Sequence, residues 1–168
     1  MLNNAGTVQV LTGTLSLSSF TQSNGVTMLN GGSLASSGNP LSFYGGKLQG
    51  AGTVNGNVAN IGGMVSPGSS PGILRIVGNY TQGTTGTLNI ELGGVVSGTQ
   101  YDLLDVTGVA SLNGTLNVSL INSFTPISGT VFRVANFSTR SGDFITETGT
   151  NLGWLSLRSY YSPDHLSL

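Results

Sequence analysis

Residues 86–120 read GTLNIELGGVVSGTQYDLLDVTGVASLNGTLNVSL. Within this stretch Leu88, Ile90 and Leu92 alternate with Asn89 and Glu91, and Leu116, Val118 and Leu120 alternate with Asn117 and Ser119. A period of two sends the apolar set to one face of a strand and the polar set to the other. Leu15 and Leu17 alternate with Ser16 and Ser18 in the same way. Gly and β-branched residues interrupt every window of helix formers, so helices are not expected. The predicted fold class is all-β.

Outward from this stretch a second regularity appears: Gly, any residue, then Leu or Val. It occurs at Gly6-Thr7-Val8, Gly13-Thr14-Leu15, Gly32-Ser33-Leu34, Gly46-Lys47-Leu48 and Gly52-Thr53-Val54. It recurs at Gly63-Met64-Val65, Gly72-Ile73-Leu74, Gly86-Thr87-Leu88, Gly114-Thr115-Leu116 and Gly129-Thr130-Val131. Each Gly is expected to supply a left-handed corner between short strands, with the following apolar residue pointing inward. Self-similarity of this kind marks repeat folds. A right-handed parallel β-helix, a β-solenoid of about eight coils of roughly 20 residues and ~40 Å length, is the architecture this predicts. The alternative is a β-sandwich, kept open by Asn24-Gly25, Asn30-Gly31, Asn55-Gly56 and Asn113-Gly114, which are hairpin signals.

Composition limits the function classes. Only 7% of the 168 residues are charged, against roughly 25% in an average soluble domain. Gly, Ser, Thr and Asn fill 83 positions, yet 38% of the chain is hydrophobic and the net charge is -1, which disfavours disorder. Five Lys and Arg against six Asp and Glu give no basic footprint for nucleic acid. Cys is absent, so neither disulfides nor thiolate metal sites are available. No run reaches the ~18 apolar residues of a transmembrane helix. The first residues, Met1 to Gly6, lack the features of a signal peptide, and an excerpt or processed form is expected. One domain over 1–168 is expected, with Gly/Ser/Asn-rich coils over 1–66, longer strands over 67–135 and an aromatic-richer terminal or capping segment over 136–168.

The succession GAGTVNGNVANIGGMVSPGSSPGILRIVGNYTQ at 50–82, GTLNIELGG at 86–94, YDLLDVTGVASLNGTLNVSL at 101–120 and GTVFRV at 129–134 resembles the passenger domains of autotransporters and related bacterial surface adhesins. The likeness covers residues ~46 to ~135, in the segment near the carboxyl end of such passengers. It implies a right-handed β-helix displayed outside the cell, in a stretch that helps the passenger fold. The carboxyl-terminal membrane barrel of that family does not follow in this sequence, so self-export is not implied.

No catalytic, cofactor-binding or metal-ligating residue is assigned, and no cofactor is expected. Asp102 and Asp105 are the one close carboxylate pair, the kind of pair a Ca²⁺ site or a polysaccharide-cleaving enzyme uses. Three residues apart on a strand they point to opposite faces, so they are read as turn residues that bond local backbone amides. His165, the sole His, lies beside Asp164 and is expected to be exposed rather than part of a Ser-His-Asp triad. Arg75, Glu91 and Arg133 are expected to face outward on strands, where charge discourages sideways sheet association. Tyr44, Tyr80, Tyr101, Trp154, Tyr160 and Tyr161 are expected to pack, with stacking on sugars as the other use. A transmembrane β-barrel would want longer strands and aromatic girdles.

The predicted function is a non-enzymatic structural or adhesive module, secreted or held at a bacterial cell surface. The alternative is a polysaccharide-active or glycan-binding protein. Self-association through the solenoid ends, further coils of a longer chain, and a host-surface or glycan ligand are the expected partners. Head-to-tail contacts between ends would build filaments.

Overall fold

A computed structural model describes Met1–Leu168. It contains twenty strands and no helix, in two sheets. The smaller sheet stacks β1 (Leu2–Asn4), β4 (Phe20–Gln22), β6 (Leu41–Phe43), β8 (Val58–Asn60), β11 (Tyr80–Gln82), β14 (Val109–Ser111) and β17 (Thr139–Ser141) in that order, all parallel. The larger sheet starts with β2 (Thr7–Val10) and β3 (Thr14–Leu17), both paired to β5 (Val26–Ser36), which pairs with β7 (Lys47–Asn55). From β7 it forks. One branch runs through β9 (Met64–Pro67), β12 (Thr87–Leu92), β15 (Thr115–Leu120) and β18 (Thr146–Thr148). The other runs through β10 (Ile73–Val77), β13 (Leu103–Val106), β16 (Arg133–Asn136), β20 (His165–Ser167) and β19 (Tyr160–Tyr161).

This corrects the expected architecture. The strands do not form a clear right-handed parallel β-helix: they make one parallel sheet and one curled, mixed half-barrel. The cause lies at the glycines that were to act as corners. β5 and β7 run 11 and 9 residues straight through them. The register slips between Asn30 and Ser33, where Gly31 and Gly32 have no register partner and form an irregularity inside β5. Two faces of a coil therefore become one bent strand. At the far side the β16–β20 and β19–β20 pairs are antiparallel, which a continuing helix would not allow. A hairpin sandwich is not formed either, since every other named strand pair is parallel. Asn113-Gly114 links β14 to β15, which belong to different sheets.

Of the ten Gly-x-Leu/Val glycines, only Gly13, Gly46, Gly114 and Gly129 have positive φ. Others are glycine because of close approach: a Cβ on Gly86 would sit 2.7 Å from the Asn60 carbonyl oxygen and 2.8 Å from Gln82 Cγ. The following apolar residue points inward as expected at Leu34, Leu48, Val54, Val65, Leu74, Leu88 and Leu116, all buried. Val131 is the exception, 70% exposed on an irregular segment.

The inward residues form one core of 31 buried apolar side chains. In-register columns build it, such as Leu48, Val65, Leu88 and Leu116 in one branch. Phe20 and Phe43 pack with ring centroids 5.4 Å apart. Beside this apolar stack the small sheet buries two register pairs of amides, Asn4–Gln22 and Asn60–Gln82, with Phe43 between them. Gln82 Nε2 donates to the carbonyls of Gly86 at 3.1 Å, Asn113 at 2.8 Å and Thr115 at 3.1 Å, while its Oε1 accepts the Tyr80 hydroxyl at 2.6 Å. Gln22 acts alike: Oε1 accepts from Asn4 Nδ2 and Thr27 Oγ1, and Nε2 donates to the Gly25, Gly45 and Lys47 carbonyls. These amides satisfy turn carbonyls in adjoining layers, which buried backbone requires. Burial raises the Tyr80 phenol pKa well above its usual range, so the hydroxyl stays a donor.

Candidate functional site

The segment after β12 folds back antiparallel along the end of that strand, where Leu92 bridges Tyr101, and delivers Asp102 to a polar cleft. The Asp102 amide donates to the Glu91 carbonyl at 3.0 Å, and the Glu91 amide donates to Asp102 Oδ2 at 2.9 Å. Gly72, just before β10, donates its amide to Asp102 Oδ1 at 3.0 Å. Asp102 thus ties three chain segments together, and it is only 1% exposed. Burial raises its pKa to about 7, against the lowering effect of the two amides; the nearby Glu91 charge raises it further and Lys47 lowers it. Lys47, Gln49, Ser66, Asn89 and Glu91 share the cleft, whose volume is about 70 Å³. That space suits one or two waters and not a sugar ring. The Ser66 hydroxyl beside it is buried without a protein partner.

The sequence pair is therefore split. Asp105 lies on the other face of its strand, ion-paired to its register partner Arg75 and accepting from Asn136 Nδ2 at 3.3 Å. The reading that these carboxylates bond backbone amides holds for Asp102 alone. Those amides are not local: they lie 30 and 11 residues away. Arg75 and Arg133 face outward as expected, whereas Glu91 is half-buried at the cleft.

His165 departs from expectation. It is half-buried in β20, its side chain only 23% exposed, with Nδ1 2.7 Å from Asp164 Oδ1. Hydrogen bonds from His165 and Ser162 hold the exposed Asp164 carboxyl down at about 2. The reason for the burial is the β19–β20 hairpin, which places His165 between Tyr160 and the β16 edge. Beside it runs an apolar groove of about 500 Å³ between residues 126–132 and 155–158.

Arg140 in β17 anchors the closing segment. Its guanidinium donates to the carbonyls of Ser162 at 2.9 Å, Tyr161 at 3.1 Å and Gly142 at 2.8 Å, pairs with Asp143, and lies 5.1 Å from the Tyr161 ring centre. The Tyr161 hydroxyl donates to Glu147 Oε1 at 2.7 Å. Tyr80 and Tyr101 pack in the core as expected, whereas Tyr44, Trp154 and Tyr160 are more than half exposed. Sequence reasoning missed the buried amides, although their signal is present: Leu2-Asn3-Asn4, Phe20-Thr21-Gln22, Val58-Ala59-Asn60 and Tyr80-Thr81-Gln82 all read apolar, any residue, amide, and Leu41-Ser42-Phe43 breaks the series.

Compared with known proteins, the chain matches no family model and no curated protein. No helix is long and apolar enough to cross a membrane.

Proposed function

We propose that the chain is a non-enzymatic structural or adhesive module of an extracellular or bacterial cell surface, as its resemblance to autotransporter passengers implies. The observation that carries this reading is where the ionisable groups are. Arg75, Arg133 and Arg140 are paired with Asp105, Asp164 and Asp143. Both oxygens of Asp102 accept backbone amides. Glu147 accepts the Tyr161 hydroxyl. These groups hold layers together, and the outer faces carry Ser, Thr and Asn ladders such as Asn89–Asn117–Thr148. A rigid, weakly charged, hydroxyl- and amide-rich surface is suited to display and to many weak polar contacts.

A second reading, glycan binding, is favoured by Tyr160, an exposed ring on the 500 Å³ groove where a sugar face could stack. Incubation with a panel of purified bacterial and host polysaccharides, followed for both binding and release of reducing ends, tests the two together. Retention on a polysaccharide without product supports a binding module. Product release that Asp102→Ala abolishes would overturn the non-enzymatic reading.

A further inference from the structure

Sequence spacing sets Asp105 beside Asp102, but in the fold the acidic neighbour of Asp102 is Glu91. The two carboxylates reach one small cleft from adjoining segments, Glu91 from β12 and Asp102 from the fold-back that follows it. The charge of Glu91 disfavours that of Asp102. Lys47, on β7, is the only cation lining the cleft, and it is ion-paired with neither acid. Two carboxylates against one ammonium leave the cleft negative when both are ionised.

Ser66 supplies an observation independent of the acids. On β9 it alternates with the inward Val65, so it belongs to the outer face of the sheet, in register with Gln49. Outer-face neighbours on the next strands, Thr87, Asn89, Thr115 and Asn117, are half-buried. Ser66 is only 7% exposed, it lines the cleft, and its buried hydroxyl has no protein partner. A buried polar atom without a partner is costly, and folded proteins generally supply one. Asp102 also has capacity to spare: each of its oxygens accepts one backbone amide and keeps a second lone pair.

We propose that this cleft binds one hard divalent cation, Ca²⁺, between the carboxylates of Glu91 and Asp102 and the hydroxyl of Ser66. Ca²⁺ takes about six to eight oxygens in flexible geometry, from carboxylates, amide oxygens and water. Gln49 brings an amide oxygen to the same cleft. The cleft volume of about 70 Å³ holds an ion with one or two waters. A water alone satisfies Ser66 but leaves the two carboxylates opposed, whereas a cation answers both. Mg²⁺ suits the cleft less, because it demands near-octahedral geometry and gives up its waters reluctantly. The ion joins β9, β12 and the fold-back where Asp102 already ties Gly72 to Glu91. Only two carboxylates, with Lys47 beside them, make a weak site, with a Kd on the order of 10⁻⁴–10⁻³ M. The inference goes beyond the structural reading of the chain and does not depend on it.

Calcium titration of the chelator-stripped 168-residue chain at pH 8 tests it, by calorimetry and by thermal melts, against MgCl₂ and against NaCl of equal ionic strength. One Ca²⁺ per chain is expected, and at ~20 mM Ca²⁺ the Tm should rise by roughly 4 °C or more, with a smaller rise in MgCl₂. Glu91→Gln and Ser66→Ala should each weaken Ca²⁺ binding, the first by about tenfold or more. Lys47→Met removes the competing charge and should tighten it. Melts without calcium confirm that each variant folds. A Tm that responds no more to CaCl₂ than to MgCl₂ or NaCl, calcium binding that all three variants leave unchanged, or weaker binding by Lys47→Met would each overturn the inference.

Discussion

Replacing Asp102 with Asn isolates the one buried carboxylate that ties the fork of the larger sheet together. Its carboxyl has an ordinary value of 3.8 and stands at about 7 in the folded chain. Between those values the folded state holds a proton that the unfolded state has lost, so stability falls as pH rises through the window. Above about 7 both states are ionised and the loss is complete; below 3.8 both are protonated and no loss occurs. At ~1.4 kcal/mol per pH unit the total reaches up to ~4 kcal/mol. Asparagine keeps the size but only one acceptor, so it turns its amide hydrogens against one of the two backbone N–H groups that Asp102 accepts, a fixed cost of about 1–3 kcal/mol at every pH. Asp102→Asn should therefore be the weaker protein by about 1–3 kcal/mol near pH 4. The difference should then shift in the variant's favour by up to ~4 kcal/mol by pH 8, because only the wild type loses stability across the window. Urea unfolding at half-unit steps from pH 4 to 8 measures the difference between the two. Asp164, held at about 2, titrates below this window and leaves that difference untouched. Parallel pH profiles, or a variant weaker by the same amount at pH 4 and pH 8, would refute the assignment of a neutral-prone Asp102.

Gln82→Leu leaves the Tyr80 hydroxyl and the Gly86, Asn113 and Thr115 carbonyls without their amide partner. A loss of roughly 2–4 kcal/mol is expected in urea unfolding. Gly25 has φ +73° and a Cβ there would run into the Gly6 carbonyl, which accepts the Val26 amide at 2.8 Å, whereas Gly13 has φ +68° and open space around it. Gly13→Ala should cost only the left-handed backbone, about 1–2 kcal/mol, and Gly25→Ala clearly more, as paired thermal melts would show. Arg140→Ala removes two carbonyl contacts, at Tyr161 and Ser162, from the closing segment. Amide exchange over residues 150–168 should accelerate at least about tenfold, with the β12–β15 amides unchanged.

The all-β class was legible because alternation survives burial. Leu88, Ile90, Leu92, Leu116 and Val118 are all inward and buried. The sheet partition was not legible, since it turns on whether a glycine ends a strand or continues it. Gly46 and Gly114 take the left-handed corner between strands, but Gly31, left-handed as well, and Gly32 sit inside β5, and only contacts with β2, β3 and β7 decide between these outcomes. The antiparallel closure was hidden for a related reason: Tyr160-Tyr161 and His165-Ser167 are short, and their partner Arg133–Asn136 lies far back in the chain. Asp102 could be placed on the opposite face from Asp105 by spacing alone, but its burial depends on the fold-back of residues 93–101. For His165, proximity to the last residue suggested exposure, and the hairpin overrode it.

All of this rests on parallel, in-register stacking of strands remote in sequence, and the absence of Cys makes that directly measurable. Asn89 and Asn117 are register partners on the outer face of β12 and β15. Adjacent strands lie ~4.8 Å apart, inside the ~4.4–6.8 Å that a disulfide spans between Cα atoms. Ser119, two residues further along β15, stands roughly 8 Å from Asn89. Under mild oxidation of the folded protein, Asn89→Cys/Asn117→Cys should form an intramolecular disulfide nearly completely, and Asn89→Cys/Ser119→Cys little or none. Equal yields in the two variants, or none in the register pair, would contradict the parallel stack.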